Sequence, residues 1–199
     1  MKQKKIRVLF VGNSYTFYND MPQTFFTECA KNAGFEAEVT SVTRGGHRLS
    51  QFADAQYEEG IRLRQTIEGK TYDVAILQEQ SLTPIKDEEG FLAGAENVAK
   101  LISAEHFILY ATWGRNDESA SLADLGLTRE EMTEKLSAAY NKAAEKIGAR
   151  VAEVGKAFLD YAKERDKNDL YRPDHSHPSA IGSSLAAKVI WEQVENFFK

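Results

Sequence analysis

Three short, almost unbroken apolar runs, at positions 6–11, 74–77 and 107–111, constrain this chain more than any other feature. A strand with one wet face alternates apolar and polar residues. A run without alternation belongs to a strand covered on both faces, as in a parallel sheet packed between helices. Two further strand-length segments, 36–42 and 151–154, and helical periodicity between the strands complete a βα alternation. The pattern predicts one domain over residues 1–199: a three-layer α/β/α sandwich around a five-stranded parallel sheet, with the three unbroken runs at its centre.

The helical segments carry their own punctuation. Phe25, Phe26, Cys29, Ala30 and Ala33 recur at helical spacing and Gly34 follows as a stop, which predicts a helix directly after the corner at Gly12-Asn13-Ser14. Thr128 and Glu131 have capping-box spacing. Met132, Leu136, Tyr140, Ala143 and Ile147 follow on one face, and Gly148 ends the run. A last helix over 179–197 repeats Ile181, Leu185, Val189, Ile190, Val194 and Phe197. The polar stretch 114–126 is the long-loop candidate, and no internal repeat or low-complexity tract interrupts the chain.

Composition narrows the class of partner. A chain of 199 residues with 42% hydrophobic content can bury one sizeable core. Its formal net charge of −5 argues against nucleic acid and anionic membrane surfaces, which reward clustered Lys and Arg. The N-terminal MKQKK is basic, but the apolar run behind it is too short for a secretory leader, and no segment is long enough to span a bilayer. The single cysteine, Cys29, excludes an internal disulfide and reads as a small core residue. A cytoplasmic location is expected. Oligomeric state is left open.

In an open parallel sheet, ligands collect where the carboxyl ends of the strands meet loops and helix starts. The residues after the successive runs are Asn13, Ser14 and Tyr15; then Arg44, Gly45, Gly46, His47 and Arg48; then Gln78, Glu79, Gln80 and Ser81; then Thr112, Trp113, Gly114 and Arg115. Asp174, His175 and His177 precede the last helix. Acyl transfer needs a hydroxyl nucleophile, a base, a carboxylate to orient the base, and donors for the developing oxyanion. Ser14, His177 and Asp174 fill the first three roles. The backbone N–H groups of Ser14 and Gly46 and the side-chain amide of Gln80 are candidates for the fourth. Asn13, Gln78 and Trp113 are candidate substrate contacts.

These motifs resemble those of the SGNH (GDSL-type) hydrolases, a family of esterases, lipases and acetyl esterases. Gly12-Asn13-Ser14 matches its first block, Gly45 or Gly46 its second, and Asp174-His175-Ser176-His177-Pro178 its last D-x-x-H block. The matches run in family order along almost the whole chain. The usual G-x-N-D block is replaced by Gln78-Glu79-Gln80-Ser81, which puts Gln80 at the position of the family's asparagine, with Gln78 as the alternative donor. The resemblance implies a flavodoxin-like SGNH fold. It also implies a cofactor-independent serine esterase acting on small acyl or acetyl esters, including esters on carbohydrate, with a Ser14-His177-Asp174 triad.

Each residue also has a plainer reading. Ser14 alone is a helix-cap serine, Gly45 and Gly46 a tight turn, Gln78 to Gln80 a solvated strand end, and Trp113 a core residue. His175 points to solvent or a neighbouring loop, His106 sits at the base of the fourth strand, and His47 with Arg44 and Arg48 forms a solvated loop. Two other functions remain: a metal-dependent hydrolase using Asp174, His175 and His177, and a non-catalytic ligand-binding domain on the same fold.

Overall fold

The structure, a computed structural model, describes residues 3–199, so Met1 and Lys2 of the basic MKQKK segment lie outside the described residues. Five parallel strands, β1 (Lys4–Gly12), β2 (Phe35–Thr43), β3 (Tyr72–Leu77), β4 (Ala104–Ala111) and β5 (Arg150–Glu153), form one sheet in the order β2-β1-β3-β4-β5. The three unbroken apolar runs are the three central strands. Alternate residues of β1 serve opposite faces: Ile6, Val8 and Phe10 pack into one core, Leu9 and Val11 into the other.

Helices cover both faces. On the way from β1 to β2 the chain makes α1 (Ser14–Phe17) and α2 (Thr27–Asn32); from β2 to β3 it makes α3 (Leu49–Ala53) and α4 (Glu58–Ile67). Between β3 and β4 come α5 (Thr83–Lys86) and α6 (Glu88–Leu101), and between β4 and β5 come α7 (Ala120–Leu125) and α8 (Arg129–Ile147). The chain closes with α9 (Val154–Glu164) and α10 (Ala180–Glu195). Ala30 of α2, Phe158 of α9 and Ile190 of α10 pack with Val8 and Phe10, whereas Leu49, Leu63, Phe91 and Tyr140 pack with Leu9 and Val11. Helix α8 begins with the expected box: Thr128 Oγ1 accepts from the Glu131 N–H and Glu131 Oε2 from the Thr128 N–H. It ends at Gly148 with φ of 68°.

Two expectations need correction. No continuous helix follows the Ser14 corner: α1 is a single turn, followed by a 3₁₀ turn at Tyr18–Asp20 and a π turn at Pro22–Phe26 before α2. The break lies at Asn19 and Asp20, whose φ values of 56° and 53° leave the right-handed region. The stretch 114–126 is not all loop either, because it contains α7, whose Leu122 packs on Met132 and Leu136 of α8. Cys29 is half-buried against the core, and the His106 ring stacks on Phe197 at 3.9 Å. Among the described residues no helix is long and apolar enough to cross a membrane.

Candidate active site

The chain leaves β1 for the β2 side and returns through β3 on the other, so the crevice between their carboxyl ends is the topological switch point. Ser14 stands at that crevice as the first residue of α1, where a helical N–H has no intrahelical acceptor. Asn13 caps the turn, with Oδ1 accepting from the Tyr15 N–H at 3.2 Å. From β3, Gln78 Oε1 accepts both the Asn13 N–H and the Thr16 hydroxyl at 2.9 Å, so the corner is tied down from two sides. Gly12 makes this approach possible: a Cβ there would sit 2.6 Å from Thr16 Oγ1 and 2.8 Å from Gln78 Oε1.

The segment before α10 is folded by its own backbone. Tyr171 and Pro178 form an isolated antiparallel bridge, the Arg172 N–H donates to the His177 carbonyl, and Ser179 caps α10. Asp174 Oδ1 accepts the N–H groups of Ser176 and His177 at 3.0 and 2.8 Å, and Oδ2 lies 2.8 Å from His177 Nδ1. On the other side of the ring, His177 Nε2 lies 2.9 Å from Ser14 Oγ. Partial burial pushes the Asp174 carboxyl up, but bonds from the His177 and Ser176 backbone and from the His177 ring outweigh it, so the group titrates below its ordinary value.

Ser14 and His177 open onto a groove of about 550 Å³ lined also by Phe17, Tyr18, Asn19, Gly45 and Gly46. The glycine loop is anchored on both flanks. Arg44 and His47 reach the buried Glu59 of α4 at 3.5 and 3.1 Å, and Asn13 Nδ2 donates to the His47 carbonyl at 3.1 Å. Farther along, the Leu49 N–H donates to the fully buried carboxylate of Glu79. A larger concavity of about 900 Å³ opens at the amino ends of the strands, where Lys5 pairs with Glu36 and Arg7 with Glu38. It holds none of the candidate catalytic residues.

No family model matches the sequence, and no curated protein matches it. Solved structures do. A protein from Slackia heliotrinireducens assigned to the SGNH hydrolases superposes with a TM-score of 0.83 at 29% identity, over 96% of this chain and 100% of that one. This likeness, end to end in both chains, supports the SGNH (GDSL-type) hydrolase family that the motifs resemble. More distant likenesses share the fold. A DUF4886 family protein from Bacteroides uniformis gives a TM-score of 0.81 at 19% identity, covering 97% of this chain and 84% of that one. A family 3 carbohydrate esterase from Clostridium thermocellum gives 0.71 at 12% identity, covering 98% and 97%.

The structure differs from the sequence-based expectation at the proposed substrate contacts. Asn13, Gln78 and Trp113 are 2%, 1% and 0% exposed, so none of them faces the groove. The amides of Asn13 and Gln78 are consumed in fixing the corner, with Gln78 Nε2 donating to the Glu79 carbonyl. Trp113 is sandwiched between Tyr15 and Phe158 at 4.6 and 4.3 Å, and its Nε1 donates to the Ser176 carbonyl. Gln80 is partly exposed. Its Oε1 accepts from the N–H groups of Leu82 and Thr83 and from the Thr83 hydroxyl, while Nε2 has only a 3.5 Å contact to Ser81 Oγ.

The three residues of the metal reading are not brought together. His175 has φ of 59° and its ring lies 3.7 Å from Glu118, whereas His177 turns to Asp174. Among the described residues no group of three His, Cys, Asp or Glu side chains is arranged to hold a metal ion. Arg48 faces Asp87 at 3.7 Å; Arg44 and Arg48 are exposed, as a solvated loop requires, whereas His47 is partly buried and, like Arg44, reaches the buried Glu59. Sequence reasoning missed Tyr18 and Asn19, which touch the His177 segment. The only available signal was an asparagine, tolerant of left-handed backbone, soon after Ser14.

Proposed function

We propose that this chain is a serine esterase that hydrolyses small acyl or acetyl esters, including esters on carbohydrate, through Ser14, His177 and Asp174. One observation carries the reading: the line from Asp174 Oδ2 to His177 Nδ1 to Ser14 Oγ, with steps of 2.8 and 2.9 Å. The ionised Asp174 accepts a hydrogen bond from the His177 Nδ1–H, which fixes the tautomer and leaves Nε2 with a lone pair toward the serine hydroxyl. His177 takes the Ser14 proton as Oγ attacks the ester carbonyl, then returns it to the departing alcohol. Water repeats the sequence on the acyl-enzyme and releases the acid.

The developing oxyanion is received by the N–H groups of Ser14 and Gly46 and by the Gln80 amide. Gln80 is preferred to Gln78 because its oxygen is held by α5 and its Nε2 keeps donating capacity, whereas Gln78 is buried with both ends occupied. A loss of one such donor costs on the order of 10²–10³ in rate. The open groove beside Ser14 suits a small acyl group on a larger alcohol, and the likeness to a carbohydrate esterase supports sugars among those alcohols.

The test is mass spectrometry of the intact protein and its peptides after incubation with a fluorophosphonate, a reagent for activated serines. The expected result is one adduct on Ser14 that is absent in His177→Ala. An unlabelled Ser14 would overturn the reading in favour of a non-catalytic binding domain.

A further inference from the structure

The residues just after the nucleophile do more than lead to the next helix. The Tyr18 ring stacks on the His177 imidazole with centroids 4.3 Å apart and an interplanar angle of 20°. The Tyr15 ring meets the same imidazole in an edge arrangement at 5.5 Å, so the ring is held from two directions. Asn19 adopts φ of 56° and ψ of 24°, and this turn sends its side chain toward the start of α10. There its Nδ2 donates to the carbonyls of Pro178 and Ser179 at 3.1 and 3.0 Å and to Ser183 Oγ at 2.8 Å. Ser183 Oγ in turn donates to the Tyr18 carbonyl at 3.3 Å.

We propose that Tyr18 is a positioning residue for His177, and that Asn19 latches the Ser14 segment to the segment that carries the imidazole. The proposal rests on the Ser14-His177-Asp174 reading and extends it. An imidazole hydrogen-bonded only at its two nitrogens can still tilt about the line joining them. A ring stacked on its face removes that freedom. The π face also favours the cationic imidazolium formed when His177 holds the serine proton. The groups facing the imidazole are Asp174 on its own loop and Ser14, Tyr15 and Tyr18 from the α1 side; the nearby charge of Arg172 lies over the Tyr18 ring, 5.2 Å from its centroid. None of the others supplies an aromatic face in stacking geometry.

The experiment compares wild type with Tyr18→Leu, Tyr18→Phe and Asn19→Gly. It reads the rate of fluorophosphonate labelling at Ser14 and ester turnover across pH. Tyr18→Leu is expected to slow labelling and lower kcat by about 3- to 30-fold, and to move the acidic limb of the pH–rate profile toward lower pH. Tyr18→Phe, which keeps the ring face, retains both rate and limb. Asn19→Gly keeps the left-handed turn but loses the amide, and it too lowers kcat. A mere groove wall would change KM and leave labelling by the small reagent and the acidic limb unmoved, and that result overturns the proposal. Loss in Tyr18→Phe equal to that in Tyr18→Leu also overturns it, by removing the ring face as the cause. A wild type unlabelled at Ser14 is distinct from both, because there the triad reading itself falls and the positioning role falls with it.

Discussion

Ser14 Oγ and His177 Nε2 stand 2.9 Å apart although 163 positions separate the two residues in the chain. Nothing local brings them together. The corner after β1 is fixed by Gln78 from β3, and the His177 loop is fixed by its own backbone and by Asn19. The pair therefore depends on the whole central sheet being formed.

Asp174→Asn tests the orienting carboxylate. An amide oxygen can still accept the Ser176 and His177 N–H groups that shape the loop, so the fold should survive. The amide nitrogen then faces Nδ1 and favours the wrong imidazole tautomer. Turnover is expected to fall by about 10²–10⁴-fold with an unchanged circular dichroism spectrum. A variant as active as wild type would remove Asp174 from the mechanism.

The acidic limb of the pH–rate profile should report one group. Activity should fall on the acid side as the base that takes the Ser14 proton becomes charged. Asp174 titrates below its ordinary value, so it stays ionised along this limb and adds no second step. Its contribution to stability is present above the unfolded carboxyl range and is lost only as pH falls through its lowered folded value. A limb with unit slope in a plot of log rate against pH is expected; a slope of two would contradict the assignment.

Glu79 should make stability depend on pH in the opposite sense. Burial pushes its carboxyl up to about 7 from 4.5, against the N–H bonds from Gln80 and Leu49 and the Arg48 charge. Below about pH 4.5 the group is protonated in both states and costs nothing. As pH rises toward 7 the unfolded chain ionises first, and stability worth about 3 kcal/mol is lost by the time the folded group ionises. Relative to Glu79→Gln, wild type should therefore lose stability between about pH 4.5 and 8 in urea titrations. A pH-independent difference would refute the burial argument.

The two glycines of the second loop should separate in the same kind of assay. Gly46 has φ of 73° with open space where a Cβ would go, so alanine there meets only backbone strain, about 1–2 kcal/mol. Gly45 has no positive φ, and a Cβ added to it would stand 3.9 Å from its nearest neighbour, Phe17 Cζ. Gly46→Ala should lose stability and kcat together, whereas Gly45→Ala should be nearly neutral in denaturation midpoint. The reverse order would exchange their roles.

Gln80→Glu isolates the third oxyanion donor. A carboxylate still accepts from Leu82 and Thr83, which preserves the start of α5, but it has no N–H to offer. A fall in kcat of about 10²–10³ without loss of thermal stability is expected. Full activity in this variant would return the donor role to another group.

Much of the protein is written in local patterns of the chain. Unbroken apolar runs identified the central strands because burial on both faces leaves no polar period. The Gly12-Asn13-Ser14 corner and the spacing of Asp174 and His177 were legible because each lies within a few residues. The broken helix after Ser14 was not legible, since the apolar spacing of Phe25 to Ala33 says nothing about a left-handed pair at Asn19 and Asp20. Which polar groups at the sheet edge face the groove was settled by the three-dimensional arrangement. Asn13 and Gln78 are indistinguishable from ligand contacts in sequence, yet Gln78 Oε1 takes the Asn13 N–H from 65 positions away, the Asn13 amide is bonded to Tyr15 and His47, and both side chains are sealed from solvent. Buried polar groups must find partners, and the choice between a substrate and another part of the chain is made only when distant segments meet.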